Sequence, residues 1–161
     1  MKFILYSSFL LLLAPCNAPK TSATSTAGSG NNLKTMIIGY EKTVCFGKCP
    51  AFTLTINGET NKASYKGDSN VEKMGSYEKN ISDEDLAMLS EVFEKNKFFE
   101  LKDEYDGAMT DLPSKYVSFS YNGKSKKIKD RHNAPAELKE IEKVLDAIAD
   151  SEGWEKVKQA E

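Results

Sequence analysis

The chain has 161 residues, of which 40% are hydrophobic and 29% are charged, and its formal net charge is −2. This length suits one globular domain whose core can form without a metal or several disulfides. Charges of both signs interleave along the chain, which excludes the basic surface that nucleic-acid binding requires.

The first residues form a short apolar segment behind a single lysine. Residues 3–14 read FILYSSFLLLLA, which is shorter than the roughly 20 residues that a membrane-spanning helix needs. A basic start followed by a short apolar run is typical of a secretory signal. We therefore expect residues 1–15 to be a signal peptide.

The LAPC sequence that follows ends at Cys16. It resembles a bacterial lipobox, in which the cysteine is acylated and becomes the mature N-terminus. Pro15 departs from the small residue that lipoboxes prefer. The alternative is ordinary signal-peptidase cleavage after Ala18, but Pro19 would then follow the cut and make a poor substrate. The resemblance favours lipidation of Cys16.

Residues 20–32 are rich in Ser, Thr and Gly, a composition typical of flexible linkers. We predict that residues 16–34 tether the lipid anchor to a folded domain over 35–154, with a tail at 155–161. Acidic residues are missing directly after Cys16. By resemblance to sorted lipoproteins, we expect an outer-membrane anchor facing the periplasm.

The sequence of the first half of the domain predicts three strands and a fourth strand with a weaker pattern. The predicted strands are 35–44, 51–56, 61–67 and 71–80. The pair Asn57-Gly58 between two of them is the signal of a type I′ hairpin. Ser82 with Asp85 predicts a capped helix start, and an apolar stripe follows at Leu86, Leu89 and Phe93. The sequence FFEL at 98–101 leaves this helix and is expected to fill the core.

The second half repeats this order of elements. A strand over 116–121, a second hairpin signal at Asn122-Gly123 and a returning strand over 124–130 precede a helix whose start is marked by Asn133 and Pro135. Its predicted apolar stripe is Leu138, Ile141, Leu145 and Ile148. We predict an α+β two-layer sandwich with one antiparallel sheet and two helices. The two halves suggest a ββα pseudo-repeat.

The sequence CFGKCP contains the two remaining cysteines, Cys45 and Cys49. If Cys16 carries lipid, these two form a pair in an oxidising compartment, where disulfides persist. Gly47 allows the tight turn that such a disulfide needs. The spacing C-x3-C-P also resembles the copper site of Sco-type copper chaperones, which adds a distant histidine. His132 could fill that role, and copper or another metal is therefore one alternative.

A thiol-dependent enzyme is the second alternative, although the expected hairpin after the cysteines lacks the helix N-terminus that activates such thiols. The long loop over 102–115 contains Tyr105, Thr110 and Asp111. Its carboxylates could hold a cation, or Asp111 could act as a general base. No catalytic motif surrounds these residues, and loop shaping before Pro113 explains them equally well.

Together, C-x-G-x-C-P and T-D-x-P resemble an uncharacterised domain family of bacterial envelope lipoproteins. The resemblance covers roughly residues 35–150, with signature positions that are Cys45, Gly47, Cys49, Pro50, Thr110, Asp111 and Pro113. It implies the lipid anchor, the paired cysteines and the α+β fold, but no reaction or substrate. We expect a non-enzymatic binding or structural module of the envelope, attached to the membrane by its lipid and binding an envelope protein through the two loops.

Overall fold

A computed structural model of the protein describes residues 32–108 and 111–158. The strands within these residues are β1 (Ile37–Lys42), β2 (Ala51–Asn57), β3 (Lys62–Ser69), β4 (Gly75–Asn80), β5 (Glu104–Tyr105), β6 (Lys115–Tyr121), β7 (Lys124–Asp130) and β8 (Glu155–Lys156). They form one sheet in the order β5-β7-β6-β1-β2-β3-β4-β8. Helix α1 (Asp83–Lys95), a short 3-10 helix (Phe98–Glu100) and helix α2 (Ala136–Asp150) complete the fold.

One face of the sheet carries the core. The buried residues of the strands alternate with exposed ones, so that Ile38 and Tyr40 of β1 point inward while Ile37 points outward. Both helices cover this inner face, because their buried side chains belong to the same hydrophobic cluster as those of the strands. The arrangement confirms the predicted α+β fold.

The sheet is mixed rather than purely antiparallel as predicted. All its neighbouring strands pair antiparallel except β5, which runs parallel to β7. The reason lies in the loop after the 3-10 helix, which runs back along the sheet edge. There the amides of Lys129 and Arg131 donate to the carbonyls of Asp103 and Tyr105, at 2.9 Å each.

Helix α1 begins as its sequence predicts. The Ser82 hydroxyl accepts a hydrogen bond from the Asp85 amide at 3.0 Å, and the Asp85 side chain completes the capping box. The apolar stripe Leu86, Leu89 and Phe93 is buried. In helix α2 three of the four predicted core positions are buried, whereas Ile148 is only half-buried.

The two Asn-Gly hairpins differ. Asn122 and Gly123 both have positive φ, 51° and 75°, which confirms the tight turn between β6 and β7. The type I′ prediction for Asn57-Gly58 is wrong, because four residues separate the strands and Gly58 has no positive φ. Gly58 has another role: a Cβ there would lie 1.9 Å from the carbonyl oxygen of Leu33. The glycine lets residues 33–36 pack against the end of β2.

The folded part extends beyond the predicted boundaries at both ends. Leu33 is 3% exposed and belongs to the core, although residues 16–34 were predicted as a tether. At the other end, β8 pairs with β4 in the region predicted as a tail. The two hairpins of the suggested pseudo-repeat flank β1, but β4 separates the first hairpin from its helix.

Candidate functional site

The cysteine loop, residues 43–50, connects β1 to β2. A disulfide joins Cys45 and Cys49, whose Cα atoms lie 5.7 Å apart, and this confirms the predicted pairing. The amide of Gly47 points at the Cys45 sulfur at 3.2 Å. On the other side the Asn70 side-chain amide donates to the Cys49 carbonyl at 3.1 Å. The loop is therefore held both by its own disulfide and by the connection between β3 and β4.

The tip of the cysteine loop is apolar and exposed. Phe46 is 94% exposed and Val44 is 64% exposed. These two side chains, Cys45, Asp111 and Leu112 line an open cavity of about 310 Å³. Val44, Phe46 and Leu112 lie together at this surface, and contiguous exposed apolar side chains, unlike single ones, are a mark of interaction sites.

The end of the 102–115 loop lies beside the cysteine loop. The Thr43 amide donates to the Ser114 carbonyl at 2.9 Å, and the Ser114 amide donates to the Thr43 hydroxyl at the same distance. The structure thus brings together the two loops that the sequence singles out. We call Val44, Phe46, Asp111 and Leu112 the cysteine-loop surface. Thr110, a predicted signature residue, lies outside the described residues.

The beginning of the 102–115 loop is fixed by ion pairs. The Asp106 carboxylate accepts hydrogen bonds from the Arg131 side chain at 2.6 and 2.5 Å, and Lys129 lies 3.2 Å away. The Arg131 guanidinium and the Gly107 amide hold the pKa of Asp106 well below its ordinary value. The Tyr105 hydroxyl accepts from the Lys102 amide at 3.0 Å. Both side chains therefore shape the loop.

His132 packs against this loop. Its amide donates to the Tyr105 carbonyl at 3.3 Å, and its ring lies so close to Gly107 that a Cβ there would be 2.9 Å from Cδ2. Within residues 32–108 and 111–158, no group of three or more His, Cys, Asp or Glu side chains could hold a metal ion. The described residues therefore provide no ligand set for copper at Cys45, Cys49 and His132.

Sequence reasoning missed a buried polar cluster between α2 and the sheet. Its residues are Tyr40 and Lys42 of β1, Lys115 of β6, Asp130 of β7, and Glu142 and Asp146 of α2. Lys115 forms an ion pair with Glu142 and lies 3.9 Å from Asp130, and Lys42 pairs with Asp146 at 3.0 Å.

The cluster holds more acidic than basic groups. The pKa of Glu142 is raised to about 7: burial is the main cause, Asp130 contributes to the rise, and Lys115 opposes it. Burial, followed by Asp146 and Glu142, raises the pKa of Tyr40. Oδ1 of Asp130 and Oε1 of Glu142 are buried without a hydrogen-bond partner among the described residues. A proton retained on Glu142 gives this buried carboxyl a hydrogen-bond donor of its own.

A sequence signal for this cluster does exist. Glu142, Asp146 and Asp150 recur at four-residue spacing and so lie on one face of α2, beside its apolar stripe. A carboxylate that is buried beside such a stripe requires a partner, and Glu142 and Asp146 take theirs from lysines of the sheet. The sequence does not tell which of the many strand lysines supply them.

Residues 36–149 match a family described as a domain of unknown function, DUF6438. This chain belongs to the DUF6438 family. The match confirms that the resemblance to an uncharacterised domain family was correct, and it covers the disulfide, the sheet from β1 to β7 and almost all of α2. A search of curated proteins finds no match.

The DUF6438 domain thus has two notable regions at the same end of β1. The cysteine loop follows the end of this strand, and Tyr40 and Lys42 belong to the buried polar cluster. In the described part of the chain, none of the helices has the length and apolar character needed to cross a bilayer.

Proposed function

We propose that this DUF6438 protein is a lipid-anchored, non-enzymatic module of the cell envelope that binds a protein partner through the cysteine-loop surface. The observation that carries the proposal is the 94% exposure of Phe46 at the tip of a loop closed by the Cys45–Cys49 disulfide. The neighbouring Val44 and Leu112 extend the apolar area around the open cavity.

Physical chemistry favours a protein partner for this surface. Burying a phenylalanine side chain contributes roughly 1.5–3 kcal/mol, and aromatic residues are common among those that dominate binding energy at protein interfaces. Because the disulfide already restricts the loop in the free protein, the loop loses little conformational entropy on binding. More of the burial energy therefore appears as affinity. Because Phe46 is exposed, its loss leaves the fold intact.

The lipid anchor is supported by the sequence alone. Cys16 ends a LAPC sequence behind a short apolar segment, and a Ser/Thr/Gly-rich stretch separates it from the domain. Residues 1–31, which include the apolar segment and Cys16, lie outside the described part of the chain. We place the anchor in the outer membrane with the domain facing the periplasm, where the disulfide persists.

The partner is tested by photo-crosslinking in living cells. A photoreactive amino acid replaces Lys48, an exposed residue of the cysteine loop, in proteins that carry either Phe46 or Phe46→Ser. A second position, the exposed Met88 of α1, is the control. We expect a discrete protein adduct at position 48 that disappears with Phe46→Ser. Adducts that persist in Phe46→Ser, or that equal those at position 88, contradict the proposal, as does the lack of any adduct.

The anchor is tested separately by labelling cells with a radioactive fatty acid. The unmodified protein should incorporate the label and Cys16→Ala should not, while Cys16→Ala also leaves the membrane fraction. No label in the unmodified protein would disprove the lipid anchor without affecting the binding surface.

A further inference from the structure

A second cavity, of about 420 Å³, lies between α2, the connection from β3 to β4, and the inner face of β2 and β3. It is separate from the cysteine-loop surface and shares no lining residue with it. Its volume falls within the range of small-molecule sites. It is lined by aromatic and by charged side chains, which together indicate the kind of ligand it fits.

Two stacked aromatic rings form one wall. The centroids of Phe52 and Tyr65 lie 5.1 Å apart with an angle of 28° between their planes. The ammonium of Lys42 lies 5.5 Å from the Phe52 centroid, and that of Lys73 lies 5.7 Å from the Tyr65 centroid. Each ring thus faces a cation, as expected of a cation–π contact.

The charges around the cavity are only partly neutralised. Lys42 pairs with Asp146 at 3.0 Å. Lys73, Glu72 and Asp150 also line the cavity, but within the described residues none of their side chains forms an ion pair or a hydrogen bond. One ammonium and two carboxylates therefore face the same space without neutralising one another.

The Tyr65 hydroxyl adds a neutral hydrogen-bonding group near this space. Burial, followed by Asp150 and Asp68, raises the pKa of Tyr65 to about 12. Tyr65 therefore keeps its proton at every pH at which the protein is expected to work. Its hydroxyl is near enough to Asp150 to be affected by the charge of that carboxylate.

We propose that this cavity binds a small zwitterion, namely an amino acid or a short peptide with free termini. Asp150 and Glu72 bind its ammonium, Lys73 binds its carboxylate, and the Phe52–Tyr65 wall contacts its apolar atoms. Such a ligand supplies the two counter-ions that the chain itself does not provide. The Lys42–Asp146 ion pair closes the inner side of the cavity towards the buried polar cluster.

Isothermal titration calorimetry on the full-length protein, as produced in cells, tests this with three related peptides. These are alanyl-alanine, its N-acetylated form and its C-terminally amidated form. We expect alanyl-alanine to bind, and each blocked form to bind at least tenfold more weakly, because each loses one charge-assisted contact. Free alanine shows whether a single amino acid is sufficient.

Two variants test which side chain binds the ammonium end of the peptide and which binds its carboxylate end. Asp150→Asn should weaken alanyl-alanine at least tenfold and abolish the discrimination against the N-acetylated form. Lys73→Gln should do the same for the amidated form. Asp150 makes no ion pair or hydrogen bond among the described residues, so Asp150→Asn should keep the unfolding midpoint of the unmodified protein. Lys73→Gln loses only the cation–π contact with Tyr65 and should shift that midpoint slightly. The proposal is overturned if alanyl-alanine does not bind at millimolar concentration, or if blocked peptides and variants bind equally well.

Discussion

Replacement of Glu142 by glutamine should stabilise the protein at alkaline pH and not at acidic pH. Glu142 is 2% exposed, and its pKa is raised from 4.5 to about 7, chiefly by burial. A carboxyl with a raised pKa binds its proton more tightly in the folded state. The contribution of this carboxyl to the free energy of unfolding is therefore fully present below pH 4.5 and is lost as the pH rises towards 7.

The size of the effect follows from the two pKa values. A rise from 4.5 to about 7 corresponds to about 3 kcal/mol at ~1.36 kcal/mol per pH unit. Relaxation of the surrounding structure on ionisation lowers this to about 2 kcal/mol. Glutamine resembles the protonated carboxyl and does not ionise. The variant and the unmodified protein should be equally stable near pH 4, and the variant more stable by about 2 kcal/mol at pH 8.

Urea unfolding at a series of pH values measures this difference. Trp154, the only tryptophan of the chain, packs 5.6 Å from the Tyr65 ring and reports unfolding by its fluorescence. Glu140→Gln, at an exposed position on the same helix, is the matched control and should keep the original pH profile. The reasoning is refuted if Glu142→Gln is less stable than the unmodified protein at pH 8. It is also refuted if the free energy of unfolding changes equally with pH between 4.5 and 7 in Glu142→Gln and in the unmodified protein.

Three further predictions concern the backbone and the loops. Replacing Cys45 and Cys49 by serine should lower the free energy of unfolding by about 2 kcal/mol relative to the disulfide-bonded unmodified protein, from the chain entropy of a five-residue loop. Urea unfolding measures this, the reduced unmodified protein should unfold like the variant, and an unchanged midpoint relative to the disulfide-bonded protein contradicts it. Gly58→Ala should destabilise by roughly 2–4 kcal/mol, since its Cβ would lie 1.9 Å from a carbonyl oxygen. Gly47→Ala, whose Cβ would meet only a sulfur at 3.7 Å, should change stability by less than about 0.5 kcal/mol; equal effects of both would refute the steric argument. Asp106→Asn should speed amide hydrogen exchange in the 102–108 loop while leaving β6 unchanged, and no local change would show that its guanidinium contact does not hold the loop.

Local sequence signals predicted the fold well where an element depends only on residues that are close to it in the sequence. Ser82 caps α1 through an amide three residues away, and Asn122 and Gly123 turn the chain with their own backbone angles. The failure at Gly58 has a tertiary cause. That glycine is required by the backbone of residues 33–36, which lie more than twenty positions earlier and whose approach leaves no trace in the hairpin sequence.

The sites likewise divide into features set by local sequence and features set by tertiary contacts. The disulfide and the closeness of the cysteine loop to Asp111 agree with the sequence. The end of β1 pairs with the start of β6, which places the segments attached to these two strand ends side by side. The buried polar cluster draws on three strands and one helix. Lys115 and Glu142 lie 27 positions apart, and lysines occur on most strands. Pairing them requires the register of the sheet, which alternating patterns do not specify between strands.

The central place of β1 has a consequence for how the domain is assembled. This strand pairs with β2 along one edge and with β6 along the other, in full register over six residues. The two hairpins therefore cannot form separate folding units, since each completes its sheet on the same shared strand. β1 lies early in the chain and β6 starts at Lys115. During synthesis β1 therefore cannot pair with β6 until most of the domain has been made. Its amides should exchange only by global unfolding, which makes β1 the last element to open.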